Sequence, residues 1–223
     1  MFQGYTQGTI DFLWGLKLNN ERAWFQAHKE EFLALVDRPT RELAAQLTQE
    51  MTEACPKLGL ELKVSRIYRD ARRLFGRGPY KDHLWFSLRK PGEHDGMIPC
   101  FWFEVAADRY GYGCWEVPPV TMAKLRARID RDPKPIEKLA RAVEKRGEFQ
   151  LEGQEYKRPK GDPGPLLYPW YNRRQISFSC ERNCEGPFFG PELADQVLEG
   201  WKSLVPQYQF LCSLPGDPEP AKM

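Results

Sequence analysis

No stretch of this sequence approaches the roughly 20 apolar residues needed to cross a bilayer. The longest apolar-rich run, residues 97–107, is broken by Pro99 and Glu104. The opening residues MFQGYTQGTIDF have neither a basic segment nor an apolar core, so they do not read as a secretory signal. No membrane partner is therefore expected, and the expectation is a soluble, cytoplasmic protein. An excess of one charge is missing too. Lys and Arg total 33 against 31 Asp and Glu, a net charge of +2, which is too balanced to demand a polyanionic partner. Several catalytic signatures are absent. GRGPYK at 76–81 lacks the spacing of a phosphate-cradling Walker loop, and Pro79 removes a backbone donor such a cradle needs. No G-x-G-x-x-G and no G-x-S-x-G is present. The Cys180/Cys184 pair has no second Cys/His pair at suitable spacing, only His94 standing loose, so neither a metal site nor a cofactor is expected. The six cysteines sit in apolar contexts and read as reduced thiols.

The apolar fraction of 41% is slightly low, but seven Trp and thirteen Phe supply large buried areas, enough for a sizeable core. Pattern and caps predict helices over roughly the first 55 residues. A short one is capped by Thr9 and ends near Gly15. A longer one after Asn19-Asn20 buries Trp24, His28, Phe32 and Leu35, with Phe25 and Val36 beside them. A third starts at Pro39, buries Leu43, Leu47 and Met51, and is closed by Pro56 and Gly59. His28 on that apolar face reads as a hydrogen-bonded core residue.

Alternation then predicts strands at 60–68, 84–88, 97–107 and 110–115, the last two joined by a hairpin at Asp108-Arg109. Two helices follow, opened by Thr121 and by Asp132-Pro133 and terminated at Gly147. Residues 148–172 read as a long polar loop, 175–180 as a strand, and Pro191 as the start of a helix. The alternation of Tyr208, Phe210 and Cys212 suggests a last strand. The fold class is α+β: a largely antiparallel sheet with helices packed on one face and an N-terminal helical segment. Residues 1–214 are expected to form a single domain and 215–223 a disordered tail.

Positive charge is concentrated in two segments. Residues 66–83 hold six cations (Arg66, Arg69, Arg72, Arg73, Arg77, Lys81) against Asp70 and Asp82. Residues 156–174 hold five (Lys157, Arg158, Lys160, Arg173, Arg174) against Asp162. Each segment has an excess of four positive charges, so the remainder of the chain is acidic. The guanidinium fork matches phosphate or carboxylate bidentately, and Gly76 and Gly78 would let backbone approach an anion. The alternative is structural pairing of these arginines with neighbouring acids.

Arg69-Asp70-x-Arg72 followed by Pro79-Tyr80-Lys81 resembles the R-D-x-R…P-Y-K signature of the bacterial family called domain of unknown function 2461. In the same order, Asn19-Asn20-x-Arg22-x-Trp24-Phe25-x-x-His28 resembles its opening helix. Gly111-x-Gly113 with Pro118 and Leu125-Arg126 resembles its central glycine pair and following helix, and Pro159-Lys160-Gly161 its later basic loop. The family's R-F-x-x-D-K is replaced here by Arg72, Arg73, Gly76 and Arg77, which loses the acidic member. The resemblance implies a fold and segment boundaries but no activity.

Three functions remain. The first is a pocket, formed by both basic loops, for a small anionic ligand bearing a phosphate group. Arg66, Arg69, Arg72, Arg77, Tyr80, Lys81 and Lys160 would bind it, and Asp70 would orient an arginine. An enzyme acting on a phosphorylated or nucleotide-like molecule is a sub-case, with Asp70 and His83 as proton carriers. The second is a nucleic-acid-binding module using the same loops, with Trp85, Trp102, Trp115 and Trp170 as stacking platforms. Aromatics in strands are more often core, and the acidic remainder argues against backbone tracking. The third is a protein-interaction or structural domain with internally paired arginines. Oligomeric state is not legible.

Overall fold

The structure is a computed structural model that describes residues 1–70, 72, 74, 76–91, 99–117 and 119–218, the side chains of 116 and 117 excepted. Arg73, His94, the first two residues of the expected 97–107 strand, Pro118 and the end of the 215–223 tail lie outside the described residues. The fold is α+β, with an N-terminal helical segment and a six-stranded antiparallel sheet of order β1-β2-β3-β4-β6-β5. Its strands are β1 (Glu61–Val64), β2 (His83–Arg89), β3 (Cys100–Ala106), β4 (Arg109–Val117), β5 (Gln150–Glu152) and β6 (Ile176–Asn183). The chain divides into two compact units, Met1–Arg89 with Trp102–Tyr112 and Glu181–Glu199, and Lys90–Phe101 with Gly113–Cys180 and Gly200–Met223.

In the first unit, helix α1 (Gln7–Leu18) is capped by Thr6. Thr9, expected at the cap, lies in the first turn, accepts the Thr6 N–H and donates to the Leu35 carbonyl at 2.7 Å. The helix continues through Gly15 to Leu18 because Leu16 still has core to meet, being fully buried. The expected second helix is broken into α2 (Arg22–Ala27), α3 (Lys29–Phe32) and a widened π turn over Leu33–Asp37 before α4 (Arg38–Ala54). Each break rotates the phase of the buried stripe. The residues that reach the core are therefore Phe25, Phe32 and Val36, while Trp24, His28 and Leu35 are half-buried. His28 stacks on Trp24 with ring centroids 4.2 Å apart, and its Nδ1 lies 2.8 Å from the Trp24 carbonyl.

Helix α4 carries Pro39 in its first turn, directly after the widened π turn, and buries Leu43, Leu47 and Met51 one turn apart. It packs on β1 and β2. The sheet presents Leu84, Phe86, Phe103, Val105, Tyr110 and Tyr112 to this core, all buried. Tyr5 stacks on Phe103 and Phe188, and its hydroxyl pairs with Thr40.

In the second unit, α5 (Pro119–Arg131) and α6 (Lys134–Arg146) bury Met122, Leu125, Ile129, Ile136, Ala140 and Val143, and Gly147 ends α6 in the left-handed conformation. A Cβ on Gly113 would lie 1.9 Å from the Phe178 carbonyl oxygen, so only glycine lets these backbones approach so closely. The 148–172 segment, expected as a loop, contains β5, which pairs with β6, and a helical turn α7 (Tyr168–Tyr171).

The expected final strand is overturned. Tyr208, Phe210 and Cys212 lie in helix α8 (Glu192–Ser213), which passes through Pro206. Trp201, Leu204, Tyr208 and Leu211 are buried at helical spacing, while Pro206 faces solvent. Beyond α8, Leu214–Gly216 forms a 3-10 turn and Asp217 accepts from Arg128 Nη2 at 2.7 Å. Among the described residues no disulfide forms.

Candidate functional site

The first basic segment is a long excursion between β1 and β2. The ladder continues past the strands through Ser65 N–H to the Trp85 carbonyl, Lys81 N–H to the Ile67 carbonyl and Arg69 N–H to the Pro79 carbonyl. Its register changes on the way. Between the pairs Val64↔Phe86 and Tyr68↔Tyr80 there are four steps on one strand and six on the other, so two extra residues bulge from the β2 side. The extra residues lie between Lys81 and Trp85, the stretch that holds Asp82 and His83. Bulges re-aim side chains, and this one places both residues beside the excursion.

The excursion is anchored to the N-terminal helices by Asn20. Its amide oxygen accepts the Tyr80 N–H and its amide nitrogen donates to the Tyr80 carbonyl, both at 3.0 Å. Asn20 thus stands in for a neighbouring strand. Gly78 makes room for it, because a Cβ there would lie 2.3 Å from Asn20 Oδ1. The expected reason for this glycine was backbone approach to an anion; the packing reason is Asn20. Tyr80 stacks on Phe25 at 4.1 Å, and burial pushes its phenol pKa up.

A concavity of about 650 Å3 opens against this frame. Among the described residues, Lys63, Arg66, Arg69, Arg72, Arg77 and Lys81 line it with a single carboxylate, Asp70, and His83 and Trp85 are also in the wall. Five of the expected binding residues (Arg66, Arg69, Arg72, Arg77 and Lys81) therefore meet around one space, with both expected proton carriers. Tyr80 lies behind them in a second concavity of about 310 Å3, with Arg22, Gln26 and Tyr68.

The cations differ in their engagements. Arg69 donates from Nε to the Tyr80 carbonyl at 2.7 Å and from Nη2 toward Asp82 at 3.4 Å. Asp70 accepts the Arg72 backbone N–H and both its Nε and Nη2, at 3.0, 3.0 and 2.7 Å, which raises the Arg72 pKa through that hydrogen bond and the adjacent charge. The Lys81 ammonium donates to the Arg66 carbonyl at 2.6 Å and lies 5.6 Å from the Trp85 ring centroid. Burial first, then the Arg69 and Arg66 charges, pull its pKa down. Among the described residues, the Arg66 guanidinium has no hydrogen bond or ion pair.

Asp70 and His83, the proton carriers expected from sequence, are engaged with different partners. Asp70 holds Arg72, while His83 Nδ1 lies 3.1 Å from Asp82 and Nε2 lies 3.8 Å from Glu104 on β3. Burial would raise the Asp82 carboxyl, but its own backbone N–H, His83 and Arg69 outweigh it and hold it below its usual range. Glu104 also faces Arg109, which donates to Glu181 on β6 at 3.2 Å. Sequence reasoning counted Asp82 only as a counter-charge to the arginines and gave Glu104 no role. Glu104 sits one strand over from His83, and nothing in its neighbours marks it.

Lys160 belongs to the second unit. Its backbone N–H donates to Asn172 Oδ1 at 2.6 Å, and Asn172 Nδ2 donates to the Gly161 carbonyl at 2.9 Å. Its ammonium lies 4.9 Å from the Tyr156 ring centroid. Cys184 and Cys180 remain thiols, burial pushing Cys184 up to about 11, and no described cluster of His, Cys, Asp and Glu could hold a metal. No helix among the described residues is long and apolar enough to cross a membrane.

Fold and site together define an α+β protein with an arginine-rich concavity at one end of an antiparallel hairpin. The family described as conserved hypothetical protein (DUF2461) matches residues 8–210, and the chain belongs to that family. The match covers the Asn20 anchor, the first basic excursion and the Lys160 loop. No curated protein matches the chain.

Proposed function

We propose that the β1–β2 excursion forms a binding site for a small anionic ligand, held through a phosphate group. What supports this is the six-to-one excess of cations over carboxylates among the described residues around one concavity. The Arg66 guanidinium is the group left to meet a ligand, with the Lys81 ammonium, which spends one donor on the Arg66 carbonyl, and the Arg77 charge beside it. Arg69 and Arg72 frame the site, each already held by a carbonyl or carboxylate. For an enzyme acting on such a ligand, His83 between Asp82 and Glu104 would carry the proton, and Asp70 orients Arg72. The reading needs the first basic segment alone.

The test is thermal stabilisation by inorganic phosphate and by a nucleotide and sugar-phosphate panel at fixed ionic strength. Ligand at a hundredfold its Kd stabilises by about 2.7 kcal/mol, a Tm rise of roughly 5–10 °C for a chain of this length. Arg66→Gln with Arg77→Gln should abolish most of that rise for the ligand that binds this site. A panel with no response, or one untouched by those substitutions, removes the reading. The Asp70–Arg72 and Asp82–Arg69 contacts favour a second reading, in which the arginines serve the fold. Unfolding caused by Arg66→Gln itself would support it. Tight binding of labelled DNA or RNA at low salt, falling steeply as salt rises, would instead indicate a nucleic-acid module.

A further inference from the structure

The second unit has a cationic cluster of its own. Residues 154–156 and 172–174 run side by side, with Tyr156 N–H on the Asn172 carbonyl at 2.9 Å and Arg174 N–H on the Gln154 carbonyl at 2.7 Å. This ribbon presents Tyr156 to helix α5 on one hand and to the Lys160 loop on the other. Three cations gather on the one ring: Lys160 at 4.9 Å from its centroid, Arg174 at 5.5 Å and Arg126 of α5 at 5.6 Å.

The cluster is built rather than incidental. Asn172, buried, clamps the Lys160 loop from both sides through Oδ1 and Nδ2. Gly161 lies so close to Tyr171 that a Cβ would meet the ring at 2.9 Å. Acids in the vicinity are otherwise engaged. Asp130 accepts the Tyr171 hydroxyl at 3.1 Å, and Glu155 faces Arg173 at 3.4 Å. Among the described residues, none of Arg126, Lys160 and Arg174 has an ion pair. Arg126 Nη1 is moreover buried with no hydrogen-bond acceptor.

A ring quadrupole attracts a cation weakly, and three like charges within reach of one ring repel one another. A buried guanidinium nitrogen without an acceptor is unfavourable. Both deficits are relieved by a compact, multiply charged anion with several acceptor oxygens. We propose that Arg126, Lys160 and Arg174 around Tyr156 form a second anion site, independent of the first, that takes a phosphate group. Arg126 Nη1 donates to one oxygen, the Lys160 ammonium and Arg174 guanidinium neutralise the others, and Tyr156 sets the spacing of the three.

The experiment uses the full chain in which Arg66→Gln and Arg77→Gln have disabled the first site. Calorimetric titration with inorganic phosphate, and separately with glycerol phosphate, at matched ionic strength reads what remains. The first arm reports the free ion, the second a phosphate ester. The expected result is a retained response to at least one, its Kd raised about tenfold or more by Lys160→Gln and by Arg126→Gln. Lys160 is on an exposed loop, so its variant folds even if the half-buried Arg126 variant does not. No response in the first-site background, or one unchanged by Lys160→Gln, overturns the second site. Neither outcome touches the first site, which is read in the wild-type background.

Discussion

Gly78→Ala is the sharpest probe of how the excursion is held. The φ of Gly78 is outside the left-handed region, so the backbone tolerates any residue and only space matters. The added Cβ would lie 2.3, 2.4 and 2.6 Å from Oδ1, Cγ and Cβ of Asn20, all atoms of one side chain. That side chain is not a loose end, because two 3.0 Å hydrogen bonds fix it to the Tyr80 backbone. Expelling it forfeits both, at a net cost of about 1 kcal/mol each. The expected loss is therefore about 2 kcal/mol, a Tm fall of roughly 4–8 °C at this chain length. Asn20→Gly removes the same two bonds and should cost a similar amount. In the Asn20→Gly background the new methyl no longer meets the Asn20 side chain, and Gly78→Ala should cost only a few tenths of a kcal/mol. Urea denaturation of the four proteins gives the coupling, expected at about 2 kcal/mol. Equal costs of Gly78→Ala in both backgrounds would refute the Asn20 anchor.

Asp82→Asn should lower stability at neutral pH. Its carboxyl is held below the ordinary 3.8, so the lost contribution is one present above that value, and the gap to wild type should close as acid titrations fall through the depressed value. A gap that widens toward low pH would contradict the assignment. Pro206→Ala should raise the Tm by restoring a helical N–H in α8 at a solvent-facing position, by up to about 3 kcal/mol in stability, whereas a segment that were a strand would gain no such bond. Cys114, fully buried with its thiol pushed well up by burial, should resist a thiol reagent at pH 8 until denaturant is added.

Periodicity made most elements legible, because one-sided burial writes itself into spacing. Phe101, Phe103 and Val105 alternate and are buried; Leu43, Leu47 and Met51 recur each turn and are buried. Ambiguity arose where two periods fit. Tyr208, Phe210 and Cys212 alternate, but Leu204, Tyr208 and Leu211 are the residues that reach the core, and a proline on the solvent side does not stop a helix whose apolar face is still being covered. Strand β5 was invisible for the opposite reason. It has three residues, an exposed glutamine and glutamate around one half-buried leucine, too short a run for its alternation to register, and it pairs with β6. The basic excursion was legible as charge. Its partners were not. Asn20 and Tyr80 are 60 residues apart, and their contact is a tertiary event with no local pattern.

The contacts also separate residues that frame the concavity from residues that are available to an occupant. Arg69 would be the natural first choice for mutagenesis, being central to the R-D-x-R signature, but its Nε and Nη2 are committed to the Tyr80 carbonyl and to Asp82. Truncating it would take one of two donors from the Tyr80 carbonyl and a cation from Asp82, so lost binding could not be told from a displaced hairpin. Arg72 has the same difficulty through Asp70. Arg66 does not: its backbone carbonyl takes the Lys81 ammonium, a bond that Arg66→Gln retains, while its guanidinium charge is removed. A loss of anion response in Arg66→Gln at unchanged stability therefore reports on the occupant, and the same loss in Arg69→Gln reports first on the frame.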